Sequence, residues 1–239
     1  HRGIAAMARR PPPPRGRTPD GNREACAPHG EKQGKRTKKT KYPSAEIRFS
    51  HILYNFATVM ANEKTDQEFK SVMQECRSLF EKKLHDYGAS WRILRPSSLT
   101  DQLFIKAKRI RSLELKKESL VGEGIRPEFI ALINYGIVGL VQVEKGFVDA
   151  VDMSPNEAMT LYDRHAEEAY ELMLKKNHDY GEAWRDMRSY TDFILTKIER
   201  VKEIENLQGK TLVSEGIDSN YMDIINYSVF GAIKLKENG

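Results

Sequence analysis

The residues of this chain that could do chemistry occur in two blocks. One reads Lys82-Lys83-Leu84-His85-Asp86-Tyr87-Gly88-Ala89-Ser90-Trp91-Arg92, and 93 positions later comes Lys175-Lys176-Asn177-His178-Asp179-Tyr180-Gly181-Glu182-Ala183-Trp184-Arg185. The only two tryptophans of the 239 residues stand at the same place in both. Cations beside an aromatic ring and a His-Asp pair suit a phosphate-bearing ligand with a planar base. The ring stacks, lysine and arginine hold phosphate, and a carboxylate or imidazole reads polar edges. On this reading Lys83, Arg92, Lys176 and Arg185 take phosphate and Trp91 and Trp184 stack. Tyr87, Asn134, Tyr180, Asn177 and Asn226 complete the lining. Asp86, Asp179, His85 and His178 are the candidates for catalysis, should there be any. A structural reading stands beside it: Gly88 and Gly181 end helices, the histidines suit the helix dipole, and the aromatic rings pin the loop that follows.

Other repeated residues leave both readings open. Asn134-Tyr135 and Asn226-Tyr227 lie in the most apolar segments, where an amide must bond either a neighbouring helix or a ligand. Asp101 with Lys106 and Arg109, and Asp192 with Lys197 and Arg200, form either an ordinary solvated face or a phosphate-binding one. Magnesium is the one cofactor worth considering, for hydrolysis or transfer at a phosphate. The acidic positions shared by the copies include Glu75 and Glu168, with Asp101, Glu123, Asp192 and Glu215 as weak metal candidates, too dispersed for a recognisable carboxylate pattern. There is no phosphate-binding glycine loop, and Cys76 becomes Ala169 in the second copy, which argues against a thiol nucleophile.

Apolar spacing predicts helices to position these residues. Thr65-Asp66-Gln67-Glu68 has the form of a capping box, followed by Phe69, Val72, Met73, Cys76, Leu79 and Phe80 on one face. Thr100-Asp101 is expected to open a second helix with Leu103, Phe104, Ala107, Ile110 and Leu113 inward. Arg126-Pro127 starts a third, burying Phe129, Leu132, Ile133, Gly136, Ile137, Leu140 and Val141. Ser154-Pro155-Asn156-Glu157 then begins the series again. The expected fold is all-α, a tandem duplication of a three-helix unit over residues 60–150 and 151–239, packed as a pseudo-twofold bundle. Neither unit, at about 80 residues, has a comfortable core alone.

Composition sharpens this. The net charge of +5 arises from residues 1–43, with 12 Lys/Arg against 3 Asp/Glu; residues 44–239 carry −4. A polymeric nucleic acid is therefore not the expected partner of the folded core. Residues 1–59 read as a disordered or non-native leader, with Met60 as the native start. Two cysteines build no disulfide framework, and no apolar stretch reaches the roughly 20 residues that span a bilayer. A cytoplasmic setting fits.

The motifs Lys-Lys-x-His-Asp-Tyr-Gly-x-x-Trp-Arg, Thr-Asp-x-x-x-x-Lys, Glu-Gly-Ile and Ile-Asn-Tyr-x-x-x-Gly, in order and twice between Thr65 and Leu235, resemble the nucleotide modification associated domain 1 family. This is a bacterial and phage helical domain of unknown function. The resemblance implies an association with nucleotide or base modification and supplies no catalytic residues. Leu84 departs from the family's Lys-Asn-His-Asp-Tyr-Gly form, which Asn177 keeps, so the first copy is expected to hold the weaker site if that asparagine contacts ligand. The rival expectation is a non-catalytic helical module that binds another protein.

Overall fold

Glycine, proline and serine punctuate the chain where the repeats demand it, and six α-helices result among the described residues. The computed structural model describes residues 45–116, 124–210 and 215–237. The helices are α1 (Ala45–Tyr87), α2 (Pro96–Lys116), α3 (Arg126–Lys145), α4 (Pro155–Tyr180), α5 (Tyr190–Asn206) and α6 (Ile217–Glu237), with 3-10 turns at Ser90–Ile93 and Ala183–Asp186. No strand occurs among the described residues. The fold is all-α. α1 to α3 and α4 to α6 follow the two copies of the sequence repeat, and both copies lie in one compact unit.

Some boundaries fall as expected. Ser154 accepts a hydrogen bond from the Glu157 N–H at 3.3 Å to cap α4. Gly88 and Gly181, at φ +62°, close α1 and α4 in a conformation that a side chain would strain. Two starts differ from expectation. α1 begins at Ala45, so the helix expected from Thr65 starts earlier and includes Met60; residues 1–44 lie outside the described residues. Thr65 does not cap: it is buried in mid-helix and serves a tertiary contact, accepting from Arg185 Nη2 at 2.9 Å. α2 likewise starts at Pro96 rather than Thr100, whose hydroxyl reaches Glu205 at 2.7 Å. A threonine hydroxyl looks the same in sequence whether it caps a helix or bridges two.

α3 and α6 run antiparallel through the centre. A Cβ on Gly139 would meet the Tyr221 ring at 2.7 Å, one on Gly136 would meet Ile225 at 2.7 Å, and one on Gly231 would meet the Phe129 ring at 2.5 Å. Only glycine lets the helices approach this closely. The contacts are reciprocal: Gly139 and Gly231, and Phe129 and Tyr221, are equivalent positions 92 apart. Thr100 to Glu205 and Thr191 to Glu114, at 2.7 and 2.8 Å, form a second reciprocal pair. Such contacts are compatible with a twofold relation between the repeats. The buried side chains form one core drawn from both copies. Leu79, expected inward, is 37% exposed at the edge of its helix face.

α1 and α4 are also antiparallel: Arg77 pairs with Asp163 at 2.7 Å, the Phe80 and Tyr162 rings stack at 4.4 Å, and Phe69 meets Tyr170 at 5.8 Å. The two His-Asp-Tyr-Gly blocks consequently sit at opposite ends of the bundle. Tyr87 ends α1, while the second block reaches α1 at Thr65, 22 residues earlier, roughly 33 Å along the helix. A single site shared by both blocks is excluded by that distance.

Candidate functional site

In the first repeat the last turns of α1 bring Lys83, Leu84 and Tyr87 to one side, as spacings of three and four residues require. Gly88 turns the chain, and the 3-10 turn carries Trp91 back over the helix. α3 supplies Asn134, Tyr135 and Val138 from across the gap. Together with Phe80, Ser90 and Ala131 these residues enclose a cavity of about 280 Å³. Four of the residues expected to contact ligand, Lys83, Tyr87, Trp91 and Asn134, thus line one space.

Their states differ. Lys83 is exposed and makes no hydrogen bond or ion pair with any described residue. Tyr87 is 66% exposed. Asn134 is held from behind: its amide donates to the Cys76 carbonyl at 3.3 Å and its oxygen accepts from the Tyr162 hydroxyl at 2.8 Å. Burial pushes the Tyr162 hydroxyl well above its ordinary range, so it stays a donor. Leu84, the departure from the family form, is buried and helps wall the cavity.

Arg92 does not face the cavity. It is 1% exposed, gripping Asp152 at 2.9 and 3.2 Å and the Gly146 carbonyl at 2.7 Å, with Gln142 as a further partner. Gln142 in turn donates to the Arg92 and Leu94 carbonyls, both at 3.0 Å, locking the 3-10 turn to the end of α3. Arg185 is engaged in the same way, by Glu68, Glu182 and Glu237 at 2.8 Å and Thr65 at 2.9 Å. The two arginines expected to hold phosphate each make four hydrogen bonds to protein acceptors and fasten the loops that carry the tryptophans.

The His-Asp pairs are found at the surface. His85 lies 3.2 Å from Asp86 and His178 lies 3.0 Å from Asp179, the imidazoles 88% and 87% exposed. Neither pair lines the cavity of the first repeat. No packing role explains their presence in both copies.

The second repeat arranges its equivalents differently. Lys176 is ion-paired with Asp223, which Lys197 also meets. Trp184 is buried, its ring stacked on Phe230 at 4.3 Å and 7°. Asn177 is 9% exposed and donates to the Met173 sulfur at 3.2 Å, so the residue expected to touch ligand faces the interior. Asn226 is 4% exposed, and neither of its side-chain atoms has a partner among the described residues. Tyr180 is 74% exposed. Burial raises the Tyr227 hydroxyl, with Asp223 adding and Lys176 and Arg200 opposing.

The magnesium candidates are not brought together. Asp101 and Glu215 are exposed, Asp192 is paired with Arg111, and Glu123 lies outside the described residues. Among the described residues no three His, Cys, Asp or Glu side chains converge as a metal site would require. Lys106 and Arg109 meet Glu128 on α3, a carboxylate that the repeat pattern could not reveal because its counterpart is Asn220. Ala131 and Val138 were likewise invisible as cavity residues; comparing the copies position by position flags them, because Asp223 and Phe230 replace them. No described helix is long and apolar enough to cross a membrane.

A family model described as nucleotide modification associated domain 1 matches residues 83–143 and 176–235, just over half of the chain. The matched segments run from Lys83 through Val143 and from Lys176 through Leu235, one in each repeat. No curated protein and no solved structure matches the chain.

Proposed function

Because the chain belongs to the nucleotide modification associated domain 1 family, twice over, we propose that it binds a nucleotide or a nucleotide-like phosphate ligand in the cavity of its first repeat. One observation carries the reading: Lys83, with no ion pair among the described residues, stands at a cavity walled by the Trp91 and Tyr87 rings. A cation left without an acceptor beside aromatic faces is suited to an anion that carries a ring. The amide of Asn134, anchored from behind, retains an N–H and an acceptor lone pair with which to read a base edge. Hydrolysis or transfer at the phosphate, with magnesium, is the enzymatic extension of this proposal. The proposed setting is the cytosol, where the free and buried Cys76 stays reduced.

The test is a thermal-shift screen of the full chain against ribo- and deoxynucleoside mono-, di- and triphosphates, with and without magnesium. A ligand at 100 times its Kd adds about 2.7 kcal/mol, which at ~2–4 °C per kcal/mol raises the melting temperature by about 5–11 °C. The expected shift is selective for one base and disappears in Trp91→Ala and Lys83→Ala. A flat panel would contradict nucleotide binding and favour the non-catalytic protein-interaction module.

A further inference from the structure

The two repeats share their lysine and tryptophan and differ at what faces them. Ala131 and Val138 in the first repeat are replaced, 92 positions on, by Asp223 and Phe230. The Asp223 carboxylate sits on Lys176, and the Phe230 ring lies nearly parallel to Trp184 at 4.3 Å and 7°. In the first repeat, among the described residues, Lys83 has no counter-ion and no ring is stacked on Trp91. Phe80 is 6.3 Å away and tilted by 40°, being stacked on Tyr162 instead.

We propose that Asp223 and Phe230 occupy, from within the chain, the place that a ligand takes in the first repeat. This inference rests on the reading of that cavity as a ligand site. The second repeat then displays the bound arrangement in protein groups: an anion on the lysine and a flat ring on the tryptophan. Transferred to the first repeat, the arrangement describes a nucleoside monophosphate with its base parallel to Trp91 and its phosphate on Lys83. The size agrees. About 280 Å³ is at the lower limit of ligand pockets and suits a mononucleotide rather than a dinucleotide. A single lysine, with Arg92 turned inward, provides for one phosphate rather than three. The chain therefore binds one nucleotide, and the repeat that keeps the family's asparagine, Asn177, is the closed one.

The experiment is isothermal titration of the full chain with the deoxynucleoside monophosphates. The native chain is expected to take one per chain, Ala131→Asp/Val138→Phe none, and Asp223→Ala/Phe230→Val two. Melting curves establish that each variant is folded; should removal of the Phe230 ring unfold the chain, Ala131→Asp alone, at a half-exposed position, must still weaken binding at least ten-fold by neutralising Lys83. Two nucleotides on the native chain, or unchanged binding in Ala131→Asp and in Ala131→Asp/Val138→Phe, would overturn the inference and leave the ligand site standing. A folded native chain that takes up none of the monophosphates would overturn the inference as well. Binding of triphosphates alone would then keep the ligand site, whereas no binding at all would remove both.

Discussion

Replacing Arg92 by methionine separates the structural cation of the first block from the one proposed to meet ligand. Arg92 is 1% exposed and satisfies three groups at once: the Asp152 carboxylate, the Gly146 carbonyl and the Gln142 amide oxygen. Methionine keeps most of the stem's packing and removes every donor. Gln142 is then left buried without its charged partner, and the 3-10 turn under Trp91 loses its tie to α3. Because Asp152 is half exposed and stays hydrated, the loss is that of charge-assisted hydrogen bonds to a buried amide, about 1.5–3 kcal/mol. For a chain of this size that is a fall of roughly 3–12 °C in melting temperature. Lys83→Met, at an exposed and unpaired position, should stay within about 0.5 kcal/mol of the native chain. Circular dichroism melts of the two variants beside the native chain decide the matter. If Arg92→Met melted within about 2 °C of the native chain, or Lys83→Met fell as far as Arg92→Met, the division of labour argued here would be refuted.

Other outcomes follow from the same geometry. Gly139→Ala should destabilise by about 1–3 kcal/mol, because the new methyl group meets the buried Tyr221 ring at 2.7 Å; urea unfolding measures it. Trp91→Ala should weaken nucleotide binding by about 1–3 kcal/mol, roughly 5- to 150-fold in Kd, as loss of base stacking does, whereas Trp184→Ala should chiefly lower the melting temperature. Burial raises the Glu205 carboxyl above its ordinary value of 4.5, against the opposing Thr100 hydroxyl. The folded state thus holds this proton more tightly than the unfolded state, so its contribution to stability falls as pH rises through 4.5 towards the raised value. Glu205→Gln should flatten that part of the stability profile, which denaturant midpoints across mildly acidic pH would show.

Helix order and the central contacts were legible because local chemistry fixed them. Gly88, Gly181 and Ser154 mark ends that hold whatever the rest of the chain does, and Gly136, Gly139 and Gly231 sit where α3 and α6 touch. The threonines misled at two starts, since Thr65 and Thr100 spend their hydroxyls on partners from the other repeat, over 100 positions away. The direction of Arg92 was illegible for the same reason: its partners Gln142 and Asp152 lie 50 and 60 positions downstream. Asn134 was readable as a buried amide in need of a bond, although not which bond. The difference between the repeats was not legible from Leu84 and Asn177 alone: Asn177 turns to Met173, while Asp223 pairs with Lys176 and Phe230 stacks on Trp184, contacts that Ala131 and Val138 cannot make.

The two indole N–H groups provide the most direct measurement. In a proton–nitrogen correlation spectrum of the full chain, Trp91 and Trp184 give one side-chain signal each, assigned with Trp91→Phe and Trp184→Phe. Titration with deoxynucleoside mono- and triphosphates is predicted to move the Trp91 signal saturably and leave the Trp184 signal in place, with no movement in Lys83→Ala. A Trp91 signal that stays fixed in a folded chain, or one that moves no more than Trp184, would contradict a ligand site in the first repeat.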